Sequence, residues 1–196
     1  MATYKDIKYN LGPLSNGGSQ VLLSEVTASS SATLSFTSGI DSTYKEYLFE
    51  FINIHCETND KHLTFQTSTN AGSSYGLTLT NTNFRGAHKE DDSFTFFGFV
   101  DNNVVQGTGF ACINEGLGNP NDGSACGYLR LYNPSSTTFV KHYISQFSSM
   151  NFQSPPQSVN YFTAGYFNTT SDIDAIQFKM VSGAIDSGTI KMYGIN

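Results

Sequence analysis

Apolar and polar residues alternate with a period of two along most of this chain, and the clearest run stands near its end. In IDAIQFKMV, Ile176, Phe178 and Met180 alternate with Ala175, Gln177, Lys179 and Val181, the pattern of a strand that buries one face. Ile190 and Met192 repeat it in TIKMYGIN. Between the two runs, Gly183 and Gly188 flank a connection that carries one small apolar residue, Ile185. The pattern predicts two adjacent strands, the last of them lying inside its sheet, so that its loss would expose an edge and the apolar face behind it.

The rest of the chain reads the same way. VLLSEV, ATLSFT, HLTFQTST, LTLT, SFTFFGFV and NYFTAGYF are strand-like runs separated by turn residues. In YKEYLFEFINIH, Tyr47, Phe49 and Phe51 fall on one face and Leu48, Ile52 and Ile54 on the other, with Glu50 among the second set. Two apolar faces predict a central strand. FRGAHKEDD reads as a charged loop, and the Asn- and Gly-rich stretch 101–127 as a strand around Gly109 to Ile113 between two loops. GYLRLYN and TTFVKHYISQFSS form a predicted hairpin about Asn133-Pro134, where proline presets the turn. Pro155-Pro156 interrupts the sheet before NYFTAGYF.

No segment sustains a 3.6-residue period, and about ten strands with frequent turns predict an all-β fold, an antiparallel β-sandwich whose most specific form is a jelly roll. The length of 196 residues suits one such domain, 21–196. Ahead of it, residues 1–20 read as an extended arm, because Pro13 and Asn16-Gly17-Gly18 block regular structure. Tyr4, Ile7, Tyr9, Leu11 and Leu14 are the apolar side chains this arm offers as candidate assembly contacts.

Composition narrows the function. Only 13% of residues are charged, against roughly 25% in ordinary soluble domains, so Ser, Thr, Asn and Gly must supply the polar surface. Such a surface suits packing against neighbours, since few long charged side chains lose their freedom there. A net charge of −6 with ten scattered Lys and Arg lacks the footprint of nucleic-acid binding. No apolar run reaches the length of about 18 residues that a membrane helix needs, and MATYKDIKYNLGPL has no apolar core of a secretory signal. Cys56, Cys112 and Cys126, an odd set at wide spacings, fit reduced thiols in a chain folded in cytoplasm.

Candidate chemistry is sparse. His55, His62, His88 and His142 lie in separate segments without zinc spacing. Glu46 and Glu50 share a strand face, but an extended backbone sets their Cα atoms about 13 Å apart, too far for an easy acid–base pair. Asp91-Asp92 and the loop NPNDG hold oxygen ligands without the EF-hand spacing. Neither a G-x-S-x-G elbow nor a phosphate loop occurs. These readings predict no enzyme, no metal and no cofactor. Sixteen Phe and eleven Tyr remain, and Tyr75, Tyr132, Tyr161 and Tyr166 near turns are candidate glycan contacts, with core or sheet-face roles as the alternative. The loops 84–93, 115–126 and 150–158 are where a host glycan would touch.

Four stretches carry a resemblance: LLSEVTASSSATLSFTSGIDSTYKEYLFEFINI, LTFQTSTNAGSSYG, GYLRLYNPSSTTFVKHYISQ and IDAIQFKMVSGAIDSGTIKMYGIN. In their order they resemble a group of bacteriophage virion structural proteins in which an "ST.Y..Y.f.f.ni" strand, an "ST.GGSSY" turn, an "LyNPsstt.kk" hairpin and an "sG.I.sGtIklYGI" ending recur. Ala71 stands where that group commonly has a second glycine. The resemblance implies a β-sandwich module of a tail fibre, head fibre or capsid decoration, and it transfers no catalytic residues. The expectation is a virion component, a capsid-decoration or small appendage protein on a larger scaffold, contacting capsid or tail proteins and its own copies, with a trimer favoured. The alternative is a tail-fibre module that recognises host surface carbohydrate.

Overall fold

The computed structural model describes residues 20–195, and among these it contains twelve strands and no helix. The arm residues Tyr4, Ile7, Tyr9, Leu11 and Leu14 lie outside the described residues. In chain order the strands are β1 (Gln20–Thr27), β2 (Leu34–Phe36), β3 (Glu46–Cys56), β4 (Lys61–Ser68), β5 (Leu79–Lys89) and β6 (Thr95–Phe99). They continue as β7 (Ala111–Leu117), β8 (Ala125–Tyr132), β9 (Lys141–Met150), β10 (Gln157–Phe167), β11 (Ala175–Met180) and β12 (Ile185–Ile195).

Two antiparallel sheets pack face to face. The larger has the order β1-β12-β3-β8-β9-β10-β5-β6, and the smaller β2-β11-β4-β7. Eight of the strands are nested pairs: β1 with β12, β2 with β11, β3 with β8 and β4 with β7, alternating between the sheets. The other four, β9-β10-β5-β6, extend the larger sheet. β7 packs on β9 and β10, which leaves β5 and β6 as an overhang.

Apolar alternation fixes the core. Ile176, Phe178 and Met180 are buried and Val181 is exposed, as the period of two requires. Phe178 sits at the centre of an aromatic cluster, with ring centroids 5.0 Å from Phe51, 5.6 Å from Phe49, 6.2 Å from Phe65 and 6.4 Å from Phe36. Ile190 and Met192 face the same core, and β12 lies between β1 and β3, an interior strand as expected.

Three expectations change. The strands β11 and β12 are not neighbours: they belong to different sheets, and the Gly-flanked connection carries the chain across the sandwich. Ile185 is fully buried and begins β12. Ile54 shares the core with Phe51 rather than facing away from it. Asn53 has a φ of 51° and opens a bulge opposite Gly188, whose φ is 116°, so the alternation of β3 shifts by one residue and Ile54 and Cys56 turn inward. A Cβ on Gly188 would stand 2.7 Å from the Asn53 carbonyl oxygen, which is why glycine is required there. Finally, FRGAHK is not loop but the second half of β5, which pairs with β10 from Leu79 to Lys89.

Away from the aromatic cluster, buried polar side chains also tie the two sheets together. Thr163 Oγ1 donates to the Cys112 carbonyl at 3.1 Å, and Ser149 pairs with Asn114 at 3.2 Å, tying β10 and β9 to β7. Asn81 Nδ2 donates to Asn83, whose own amide reaches the Asn102 carbonyl, so the segment after β6 is pinned over one end of the overhang.

Candidate functional site

The outer face of the larger sheet carries side chains from every second residue of each strand. Register places Tyr128, Gln146, Phe162, Phe84 and Phe99 in one row across five strands. Phe84 stacks on Phe162 at 4.8 Å with planes 10° apart, and Phe97 meets Phe84 edge-on at 5.8 Å. Phe97 and Phe99 are each 79% exposed, and Ile144 is exposed in the adjoining row. An uncharged aromatic plate therefore covers the end of the sheet at β6.

Among the described residues the edge of that plate is also unpaired. Lys89 N–H donates to the Phe94 carbonyl and Val100 N–H to the Asn83 carbonyl, so Phe96 and Gly98 bond to β5 while Thr95, Phe97 and Phe99 turn their backbone groups away from it. β6 holds neither charge nor proline in TFFGF, the residues that usually blunt an edge strand.

Beneath the overhang lies a cleft of about 710 Å³, formed because the four-stranded sheet ends before the eight-stranded one. Its walls come from the start of β4, from β5, from β7 and from the segment 151–157. Arg85 and Glu115 pair across it at 3.1 Å, with Arg85 also 5.3 Å from the Phe96 ring. His62 Nδ1 accepts the Gly116 N–H at 3.0 Å, which in the neutral ring puts the proton on Nε2. Asn151 Oδ1 accepts the N–H groups of Gln153 and Gln157, and its amide donates to Gln157 Oε1 at 2.8 Å. The rings of Phe94 and Phe152, 43% and 36% exposed, stand in the walls.

The tyrosines singled out from the sequence do not converge here. Tyr161 is fully buried against the core, and burial pushes its hydroxyl pKa far up, so it cannot contact a glycan. Tyr75 folds back over the turn after β4, where a Cβ on Gly72 would lie 2.7 Å from its hydroxyl. Ala71 in that turn has a φ of 56°, a conformation that favours glycine. Tyr132 and Tyr166 are half-buried on the outer face, with Tyr166 beside His142 at 5.9 Å. Residues from the stretches 84–93, 115–126 and 150–158 line the cleft, Arg85 and Lys89 from β5, Glu115 from β7, and Asn151 and Phe152 from the loop after β9. Sequence reasoning weighed His62 only as a metal ligand and missed Asp60; the two enter from β4 and its preceding turn without any local motif.

Several other polar groups singled out from the sequence have partners of their own. Glu46 pairs with Arg130 across the sheet. His55 lies between Asp186, at 3.3 Å, and the Pro120 carbonyl, at 3.2 Å, so both ring nitrogens face acceptors. His88 meets Asp92 at 2.8 Å, and Asp91 accepts from Ser93, which lowers the Asp91 pKa. Among the described residues no cluster of three or more His, Cys, Asp or Glu could hold a metal ion, and no helix is long and apolar enough to cross a membrane.

The thiols separate by burial. Cys56 and Cys112 are buried, and burial pushes their pKa values up to about 11 and about 12. Cys126 is exposed beside Asn53. A disulfide-exchange reagent at pH 8 is expected to label one thiol quickly in the native protein and all three after denaturation, because the thiolate is the reacting form. Two fast native thiols would contradict the placement of β3 or β7.

No family model, curated protein or solved structure matches the chain. The fold places it among all-β proteins with two antiparallel sheets packed as a sandwich.

Proposed function

We propose that the chain is a structural component of a bacteriophage virion, a capsid-decoration or small appendage module that works through protein–protein contacts. The observation that carries this reading is the uncharged aromatic plate at β6, with Phe97 and Phe99 each 79% exposed. Isolated exposed apolar residues are ordinary, whereas a contiguous patch marks an interaction face. Its occupant is a second copy of the chain. Copies that each carry a net charge of −6 repel one another, and the plate adds no charge to their contact; it meets a different face of its neighbour, head to tail, as a closed ring of three requires.

Two further points support the reading. The four ordered stretches that resemble virion proteins fall on structural features: β3, the turn after β4, the β8–β9 hairpin, and β11 with β12. We read the nested pairing of eight strands as a jelly roll with a four-stranded extension, an architecture that recurs in viral capsid domains; fold alone is an analogy. The homo-oligomer we favour is a trimer, with other capsid or tail proteins as its neighbours in the particle.

Light scattering on the purified chain tests the assembly. A mass near three times the 21.4 kDa chain is expected, and the double variant Phe97→Glu, Phe99→Glu is expected to run as a folded monomer. Cryo-electron microscopy of the intact particle then locates the chain, at symmetric sites on the capsid for decoration or on the tail for an appendage. A wild-type monomer, or a particle without the chain, ends this reading.

A further inference from the structure

We propose that the cleft under the β5–β6 overhang is a saccharide-binding site, independent of the aromatic plate and of the assembly it serves. The polar groups there are arranged to hold something. Arg85 is fixed by Glu115 and by the Phe96 ring, His62 is oriented by the Gly116 N–H, and Gln157 is clamped by Asn151. Each of these contacts uses one side of its side chain. His62 Nε2 and Gln157 Nε2 have no hydrogen-bond partner among the described residues, and neither do the side chains of Asp60, Lys89 and Gln153. The cleft therefore offers donors and acceptors together.

That mixture selects a ligand class. A phosphate or nucleotide needs unopposed cations, but Arg85 is already neutralised by Glu115, and Lys89 shares the cleft with Asp60. An acyl chain would leave these polar groups unpaired in an apolar contact, at a cost for each. Sugar hydroxyls donate and accept at once, and the C–H faces of a pyranose pack on flat aromatic rings. Phe94 and Phe152 supply such rings, half-exposed in the walls of the same cleft. The other large cavities lack this combination. The one on the outer face has Tyr166 and His142 in its walls, but its lining is mainly apolar. The one beside His55 and Asp186 has no aromatic wall, and the one beside Cys126 is lined by Ser, Met and Glu.

Two rings and several unpartnered side chains in about 710 Å³ suit a short oligosaccharide rather than a single monosaccharide. Binding brings no covalent step.

The test begins with the full chain on an array of immobilised bacterial surface oligosaccharides, followed by solution titration of any retained oligosaccharide. We expect at least one to be retained. Phe152→Ala should weaken its Kd by about tenfold or more through loss of the stacking face. Because Phe152 also covers Gly116, with 3.3 Å between the ring and an added Cβ, trimming it could disturb the fold. Gln153→Ala removes only a side chain without a partner and should weaken binding severalfold in a folded protein. Phe97→Glu, on the aromatic plate, should leave the Kd per site unchanged in solution even where it abolishes assembly, so the two readings fail separately. The site is overturned if the wild-type chain retains no oligosaccharide, or if Phe152→Ala and Gln153→Ala both bind as tightly as wild type.

Discussion

Phe178→Ala is expected to lower the free energy of unfolding by about 3–5 kcal/mol, the range for truncating a buried aromatic ring. Phe178 is fully buried in β11, with Leu34 of β2 on one flank and Phe65 of β4 on the other, and it faces Phe49 and Phe51 of β3 across the sandwich. The alanine leaves a cavity between two sheets, and four aromatic neighbours anchored on three other strands cannot close it by small rotations. For a domain of this size the loss corresponds to a fall in Tm on the order of 10 °C. Val181→Ala on the same segment is the control: Val181 is exposed, and a change within about 0.5 kcal/mol is expected. Thermal or urea unfolding of both variants decides the matter, and equal effects would mean that the buried face of β11 is wrongly assigned.

Lys141→Met is expected to cost about 2–4 kcal/mol although it replaces a charge with an apolar side chain of similar length. Lys141 opens β9 and is fully buried. Its ammonium donates to the carbonyls of Ser136, Phe139 and Thr169, the last at 3.2 Å, and so joins the β8–β9 connection to the segment after β10. Burial lowers its pKa, with Asp172 opposing the shift. Three carbonyl bonds satisfy the three donors of the charged form, so the favourable contacts and the burial penalty meet in one residue. Methionine fills the stem but leaves three carbonyls without their donor. The expected readout is a lower urea midpoint at unchanged slope, with faster amide exchange in residues 133–140. Unaltered stability would show that the lysine stem, rather than its ammonium, holds the loop.

The aromatic plate and the cleft share a structural origin. Both exist because β9, β10, β5 and β6 extend one sheet past the other. The extension exposes an outer face that bears Phe84, Phe97, Phe99 and Phe162, and it shelters the cleft on its inner side. A symmetric four-plus-four sandwich would have neither.

Much of the fold could be read from alternation. The buried faces of β11 and of the first half of β3, the β8–β9 hairpin and the all-β class follow from residues two apart, because side chains of a strand point alternately to its two faces. Alternation failed at Asn53, where a residue type that tolerates positive φ inserts a bulge with no local mark, and Ile54 changes face. It failed at Gly86 as well, since a strand whose exposed face is polar and glycine-containing looks like a loop until β10 is seen paired along it. Tyr161 and Tyr166 are five residues apart and so lie on opposite faces, but Phe162 makes the outer face apolar too, and the sequence offers no means of telling which face is core.

By itself the sequence determined which residues alternate, where turns interrupt them, and that the surface carries few charges. These are local properties, set by backbone geometry and by the hydrophobicity of near neighbours. The tertiary structure alone decided that β11 and β12 part company across the sandwich, that β5 and β6 overhang the smaller sheet, and that His62 and Asp60 meet Arg85 and Phe152 in one cleft. Those outcomes rest on pairing between strands far apart in sequence, where the free energy comes from long-range burial and shared hydrogen bonds, and no window of local pattern contains that information.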